Sequence, residues 1–244
     1  MDYSNIEYHC KEISNQLINY VETNKKITLD DQYMIMKPHI NELISQIPRF
    51  DITKVSIIKE LGSGAFSEVY LIEFEKKEYA LKIMEIKTIS PFIEIFMLDL
   101  LRDLDFIPKV YSFGIVDTPF VFENMKYRPP FFVIMMELVR DAIPLEDFKD
   151  IDDKIIDQMK HCVDVLLSMK IDIRDFGGSN ILLDKNRKVW IIDFNHSYIY
   201  GHQTFDYRYS YNYILNKYQH GQDDYLEWDE ITRSYNDTIM HIQN

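Results

Sequence analysis

The chain has 244 residues, 46% of them hydrophobic, enough for a sizeable core, and carries 40 acidic against 27 basic residues for a net charge of −13. That acidity argues against nucleic acid or an anionic membrane as a main partner, because both need a basic surface. Two cysteines, Cys10 and Cys162, are too few for a disulfide scaffold, no apolar run reaches the roughly 18 residues of a membrane span, and the polar start MDYSNIEYHC is unlike a signal peptide, so a reducing, cytoplasmic setting is expected.

In chain order, Ile6, Cys10, Ile13, Leu17 and Val21 recur at helical spacing. Pro38 opens a second predicted helix, with Ile40, Leu43, Ile44 and Ile47 on one side and Pro48 as its stop. From Val55 the texture changes. VSIIKEL, EVYLIEF and EYALKIM are short, rich in β-branched and aromatic residues, and divided by Gly-rich or charged turns. They predict three antiparallel strands. SPFIEIFMLDLLRDL predicts a helix with Ser90 as N-cap and Pro91 at its first position. PKVYSFGIV and PFFVIMMELV predict two more strands, and Ile155, Met159, Val163, Leu166 and Leu167 mark another helix. NILLD and VWIID predict a hairpin, and a helix is expected over 206–218. A strand-rich lobe joined to a helical lobe leaves a cleft, and such clefts are favoured ligand sites.

Chemistry is concentrated at a few points along this order. In LGSGAFSEVY, Gly62 and Gly64 let backbone approach a ligand closely, and the exposed N–H groups of such a loop can cradle phosphate oxygens; an ordinary hairpin turn is the plain alternative. Lys82 shares a strand face with Ala80 by the period of two, which suits a cation beside phosphates and a small residue beside a base. Glu94, in the first turn of the next helix, can pair with Lys82, or can be a surface carboxylate favoured by the helix dipole. IRDFGGSN places Asp175 and Asn180 five apart, and Asp193 follows the second hairpin strand. Carboxylate and amide oxygens are the hard ligands magnesium prefers, so Asp175 suits a base or orienting group for a hydroxyl, and Asn180 and Asp193 suit metal ligands. The alternative is two turns of a hairpin.

In combination these segments resemble the protein-kinase superfamily over about residues 55–195. GSGAFSEV resembles the glycine-rich loop over ATP, with Gly62, Ser63 and Gly64 at the phosphates, and YALKIM resembles the strand with the phosphate-binding lysine. IRDFGGSN resembles the catalytic loop, and DFN resembles the metal-binding DFG. MMELV resembles the hinge, which implies Met136 as gatekeeper, Glu137 beside it, and Val139 offering backbone groups to adenine. Val69, Ala80 and Leu182 would then sandwich the adenine ring. The resemblance implies an α+β, two-lobed fold: an N-terminal helical extension over 1–50, an N-lobe of five strands and one helix with its hinge over 51–139, and a reduced helical C-lobe over 140–244. It implies ATP and Mg²⁺ as cofactors and a protein substrate.

Several positions depart from the family pattern. Ser67 replaces the third loop glycine, Ile173 the catalytic-loop histidine, Gly177 a lysine two residues after the catalytic aspartate, and Asn195 the glycine of DFG; Asn tolerates left-handed backbone angles, so the turn is expected to survive. No APE-like segment follows, and Asp206 falls thirteen positions after Asp193, with no room for a long activation loop. This compactness resembles minimal kinases of large DNA viruses and secreted bacterial effectors, for which a host protein would be the partner. The leading expectation is transfer of the γ-phosphoryl of ATP to a protein Ser or Thr, with Lys82, Glu94 and Asp175 as the catalytic set. The alternatives are a pseudokinase acting as an ATP-binding scaffold and a small-molecule phosphotransferase.

Overall fold

The computed structural model describes residues 8, 12, 16, 29–64, 67–86, 88, 90–122, 125–127, 129–169, 171–173, 176–195 and 197–199. Of the first predicted helix only positions 8, 12 and 16 fall within this set, all helical; its apolar stripe, Arg174, Asp175 and the helix expected over 206–218 lie outside it.

Helix α1 spans Leu29–Gln46 and runs through Pro38 instead of starting there. Proline removes one N–H from the ladder, but Pro38 is exposed and Met34, whose carbonyl loses that partner, is exposed as well, so water can take its place. A 3-10 turn, Ile52–Lys54, follows, capped by the Asp51 carboxylate accepting from the Thr53 N–H. Strands β1 (Ser56–Ser63), β2 (Ser67–Phe74) and β3 (Lys77–Glu85) form the predicted antiparallel run. Helix α2 (Ser90–Leu100) intervenes before β4 (Val110–Val116). Its first N–H, on Ser90, donates to the Thr88 hydroxyl, so Thr88 takes the capping role expected of Ser90.

A small hairpin that the sequence pattern did not indicate, β5 (Phe120–Phe122) and β6 (Met125–Tyr127), precedes β7 (Phe131–Met136). The main sheet has the order β1-β2-β3-β7-β4. Every residue of β7 is buried, because both faces of the sheet are covered at this strand. One face joins α1, α2 and the second half of the chain in the larger apolar cluster; the other packs Tyr70, Ile72, Leu81, Ile83 and Val133 under Ile52 and its neighbours.

After β7 the chain passes through β8 (Ile143–Pro144), the 3-10 turn Leu145–Asp147 and helix α3 (Asp153–Ser168), which the Asp152 carboxylate caps at the Ile155 N–H. Burial pushes the Cys162 thiol on α3 up to about 12, so it acts as a small apolar side chain. Strand β9 (Ile171–Asp172) and the 3-10 turn Gly178–Asn180 lead to the predicted hairpin, β10 (Ile181–Leu183) with β11 (Val189–Ile191), and then to β12 (Tyr198–Ile199). Strand β8 adds a third strand to this hairpin, and β12 pairs with β9. Gln158 of α3 holds the hairpin by accepting from the Val189 N–H and donating to the Arg187 carbonyl. The result is an α+β fold with an antiparallel sheet. No helix among the described residues is long and apolar enough to cross a membrane.

Candidate active site

Register across the main sheet brings the predicted residues together. Gly62 of β1 faces Val69 of β2, which faces Lys82 of β3. One step along the same face, Ala80 of β3 faces Met136 of β7. In-register neighbours on adjacent strands share a face, so Gly62, Val69, Ala80, Lys82 and Met136 form one surface of the sheet. A Cβ added at Gly62 would meet nothing within 4 Å, and one at Gly64 only the Ser67 carbonyl oxygen at 3.9 Å. Neither internal packing nor a left-handed backbone requires these glycines. Open space above bare backbone is the condition for close approach of a ligand. Ser63 closes β1 beside Glu68, and Gly64 bonds back to Ser67 across the turn.

Lys82 is 4% exposed and Glu94 1%. The Lys82 Nζ donates to both carboxylate oxygens of Glu94, at 2.8 and 2.7 Å. Glu94 is therefore no surface carboxylate, nor does it lie in the first turn as expected: it is the fifth residue of α2, which begins at Ser90, and α2 turns it inward to the sheet. Asp193 Oδ1 lies 3.0 Å from the same Nζ. That contact is an ion pair without hydrogen-bond alignment, since Oδ1 is buried and accepts no hydrogen bond. Two carboxylates thus share one ammonium, and the trio carries a net charge of −1 in a largely dry environment. Burial works against the charged form of Lys82, but the adjacent Glu94 and Asp193 charges outweigh it and hold its pKa above the usual lysine value. Burial pushes Glu94 up; Lys82 opposes this, and the repulsion of Asp193 adds to it, so the net direction is upward.

The hairpin delivers the remaining groups. The Asn180 backbone N–H donates to the Gly177 carbonyl at 3.0 Å, and the Ile192 N–H donates to the Asn180 carbonyl at 3.0 Å. Asn180 is thereby fixed one residue from Asp193, across the start of the hairpin. Asp193 has φ of +63°, a left-handed conformation that costs an L-residue about 1–2 kcal/mol. Such outliers concentrate at functional sites. The left-handed residue of this turn is Asp193 and not Asn195, which sequence reasoning had singled out for that conformation; Asn195 is buried, as is Phe194. Ile173 is 1% exposed in the same apolar cluster as Phe194 and Phe176, so an apolar side chain suits that position.

Just past β7 the Glu137 N–H donates to the Lys109 carbonyl at 2.7 Å, and the Glu137 carboxylate accepts from the Lys109 N–H at 3.2 Å. These bonds fix the turn that leads to Val139, whose N–H has no backbone partner among the described residues. Leu182 lies on β10 between the buried Ile181 and Leu183, is itself half-buried, and faces Pro144 of β8, so the chain that follows β7 runs beside it. Asp175 cannot be placed by the described residues. No cluster of three or more His, Cys, Asp or Glu able to hold a metal occurs among them; Asp193 with Asn180 is a sparse hard-oxygen set of the kind magnesium accepts when phosphates complete its shell.

Sequence reasoning missed two structural contributors. One is strand β8, which ties the chain after β7 to the hairpin. The other is Gly114 of β4, where an added Cβ would lie 2.6 Å from the Pro48 carbonyl oxygen. A lone glycine inside the strand pattern VYSFGIV was the available signal for such close backbone approach. Comparison with known proteins bears on the whole arrangement. The model of the family described as Protein kinase domain matches residues 55–221. No curated protein matches the chain.

Proposed function

The chain belongs to the protein kinase family, and from that premise we propose that it is an ATP- and Mg²⁺-dependent kinase that phosphorylates a Ser or Thr hydroxyl of a protein. The observation that carries this reading is the buried trio: Lys82 held by both oxygens of Glu94, with an Asp193 oxygen 3.0 Å away that accepts no hydrogen bond. The hard oxygens of the Asp193 carboxylate, and the net negative charge of the trio, fit a divalent cation.

Each residue then has a task. Met136, Val69 and Ala80 form the apolar bed for the base, with Leu182 on the opposite side and the Val139 N–H and Glu137 carbonyl at its edge. Gly62, Ser63 and Gly64 lie over the phosphates. Glu94 keeps the Lys82 ammonium from swinging, so that Lys82 meets the phosphates in one orientation. Asn180 and Asp193 would hold magnesium, which supplies charge neutralisation at the phosphate oxygens. Asp175, five residues before Asn180, accepts or orients the acceptor hydroxyl. Most of the rate enhancement arises from positioning and charge stabilisation. Residues 51–139 serve as the N-lobe and hinge, and 140–244 as a short C-lobe.

The test is transfer of label from γ-labelled ATP into proteins of a cell lysate, with Asp175→Ala as control and with chelation of magnesium. Label on Ser or Thr that disappears in both controls is expected. Nucleotide binding without any transfer would identify an ATP-binding scaffold instead, and label confined to small molecules a small-molecule phosphotransferase.

A further inference from the structure

Helix α2, which carries Glu94, is apolar almost all round: Phe92, Ile95, Met97 and Leu98 are buried, and Ile93 and Phe96 pack against the same core. A helix of this composition needs cover on its outer side as well as against the sheet. Part of that core comes from upstream of the sheet. Ile40, Leu43 and Ile47 of α1 are 4, 1 and 4% exposed and belong to the apolar cluster that contains Phe92, Ile95 and Leu98.

The end of α1 is tied down. The Pro48 carbonyl accepts from the Ile115 N–H at 2.9 Å, and the Phe50 N–H donates to the Ile115 carbonyl at 2.9 Å, so residues 48–50 run along the outer edge of β4. Gly114 leaves the room this requires. Arg49 acts as a clip: its guanidinium donates to the Ile44 carbonyl at 3.2 Å, which takes up a free end of α1, and pairs with Asp117 at 2.5 Å, just past β4. From β4 a row of rings leads inward. Phe113 stacks on Phe132 of β7 at 6.1 Å, and Phe132 meets Phe92 edge-on at 5.6 Å. Phe92 lies two residues before Glu94.

We infer that residues 40–50 form a strut that holds α2 in place, and that Leu43 and Arg49 are positioning residues for the Lys82–Glu94 pair. The inference rests on the kinase reading for what the pair does, but the strut itself is a property of the packing. Its consequence is that the chain carries within itself the contact that keeps Glu94 against Lys82.

The experiment compares adenosine and ATP·Mg²⁺ binding to the full chain by calorimetry in wild type, Leu43→Ala and Arg49→Ala. Adenosine touches only the base site, whereas ATP also needs an oriented Lys82. Loss of one oriented, charge-assisted hydrogen bond corresponds to about tenfold in affinity. Leu43→Ala should lower the ratio of ATP to adenosine affinity by about that factor, with adenosine unchanged, and Arg49→Ala should lower it by a smaller factor in the same direction. Arg49 has its side chain 54% exposed, so this variant folds even if Leu43→Ala does not, and then decides alone. An unchanged ratio in folded variants overturns the strut, as does a parallel fall of both affinities, which would mark residues 40–50 as general support of the fold. Wild type binding neither ligand would overturn the kinase reading itself.

Discussion

Replacing Lys82 by Met removes the only cation within reach of Glu94 among the described ion pairs and leaves a carboxylate that is 1% exposed. Its two hydrogen bonds from Nζ, at 2.8 and 2.7 Å, are lost together. Breaking a buried pair from one side costs about 3–5 kcal/mol. The folded variant can limit this cost by protonating Glu94. Relative to an unfolded value of 4.5, taking up a proton at pH 7 costs about 1.36 kcal/mol per unit, roughly 3.4 kcal/mol. The expected loss at pH 7 is thus about 3–4 kcal/mol, or roughly 6–16 °C in Tm. Its pH dependence is the sharper test. A carboxylate whose folded pKa is raised contributes stability that is present below 4.5 and is lost as pH rises through the folded pKa. Without Lys82 that window widens upward, so the deficit relative to wild type should grow by up to about 1.4 kcal/mol per pH unit between 5 and 7. The double variant Lys82→Met/Glu94→Gln has no ionisable group at position 94, and should be more stable than the single variant at pH 7 and lose the part of the slope that Glu94 contributes. Urea unfolding of the three proteins at pH 5, 6 and 7 measures all of this. A single variant that loses under about 1 kcal/mol at pH 7 and parallels wild type across the range would refute the buried pair.

Asp193→Asn keeps the shape of the side chain and removes its charge; the ATP-induced thermal shift of wild type should depend on magnesium, and that of the variant should not. Equal magnesium dependence in both would make Asp193 a turn residue. Asp184 accepts from the Asn186 N–H at 2.8 Å, the Lys188 N–H at 3.0 Å and the Trp190 indole at 3.3 Å. Burial opposes its charged form, but these donors outweigh it and hold the pKa below 3.8. Asp184→Ala should therefore cost about 1 kcal/mol above pH 4, discounted for a partly wet site, and the difference should fade as pH drops through the folded pKa; chemical denaturation at pH 7 and pH 2.5 checks it. Only twelve residues separate Asp193 from Asp206, too few for a long loop ordered by phosphate–arginine contacts, so protein made in bacteria and treated with phosphatase should keep its transfer rate; a large loss, restored by preincubation with ATP, would reveal a phosphorylation switch.

The parts of the fold legible in sequence are those where periodicity runs long enough to register. EYALKIM places Ala80 and Lys82 on one face and Leu81 and Ile83 on the other, and the structure buries the two sets in different clusters, apart from Lys82 at the site. PFFVIMMELV reads as a strand because continuous apolar character marks burial on both faces. Strands β8, β9 and β12 have two residues each, too few for any period, and exist because neighbouring chain offers free backbone groups. The three-residue arms of β5 and β6 fail for the same reason. Pro38 misled because a proline more often begins a helix than lies within one, and the exposure that makes it tolerable here is a property of tertiary structure.

At the site, residue types were legible and their relations were not. Strand face and helix position left the pairing of Lys82 with Glu94 open against a surface carboxylate, and the resemblance alone favoured it; the sequence gives no sign that Asp193 joins them or that its backbone turns left-handed. These relations distinguish the two carboxylates. Lys82 has three N–H donors. Two are fixed on Glu94, whose side chain is 2% exposed; the third faces Asp193 at 3.0 Å without alignment, and the Asp193 side chain is 25% exposed. Glu94 therefore has neither a path to solvent nor a better partner, while Asp193 holds the ammonium by one contact and has an open side. Of the three groups only Asp193 can change partners without leaving a buried charge unpaired. A ligand must then enter from the Asp193 side, where it meets the one weakly held N–H of Lys82, with Asn180 adjacent across the hairpin. The strain at Asp193 points the same way, since a left-handed backbone at a cost of about 1–2 kcal/mol holds this carboxylate beside Lys82.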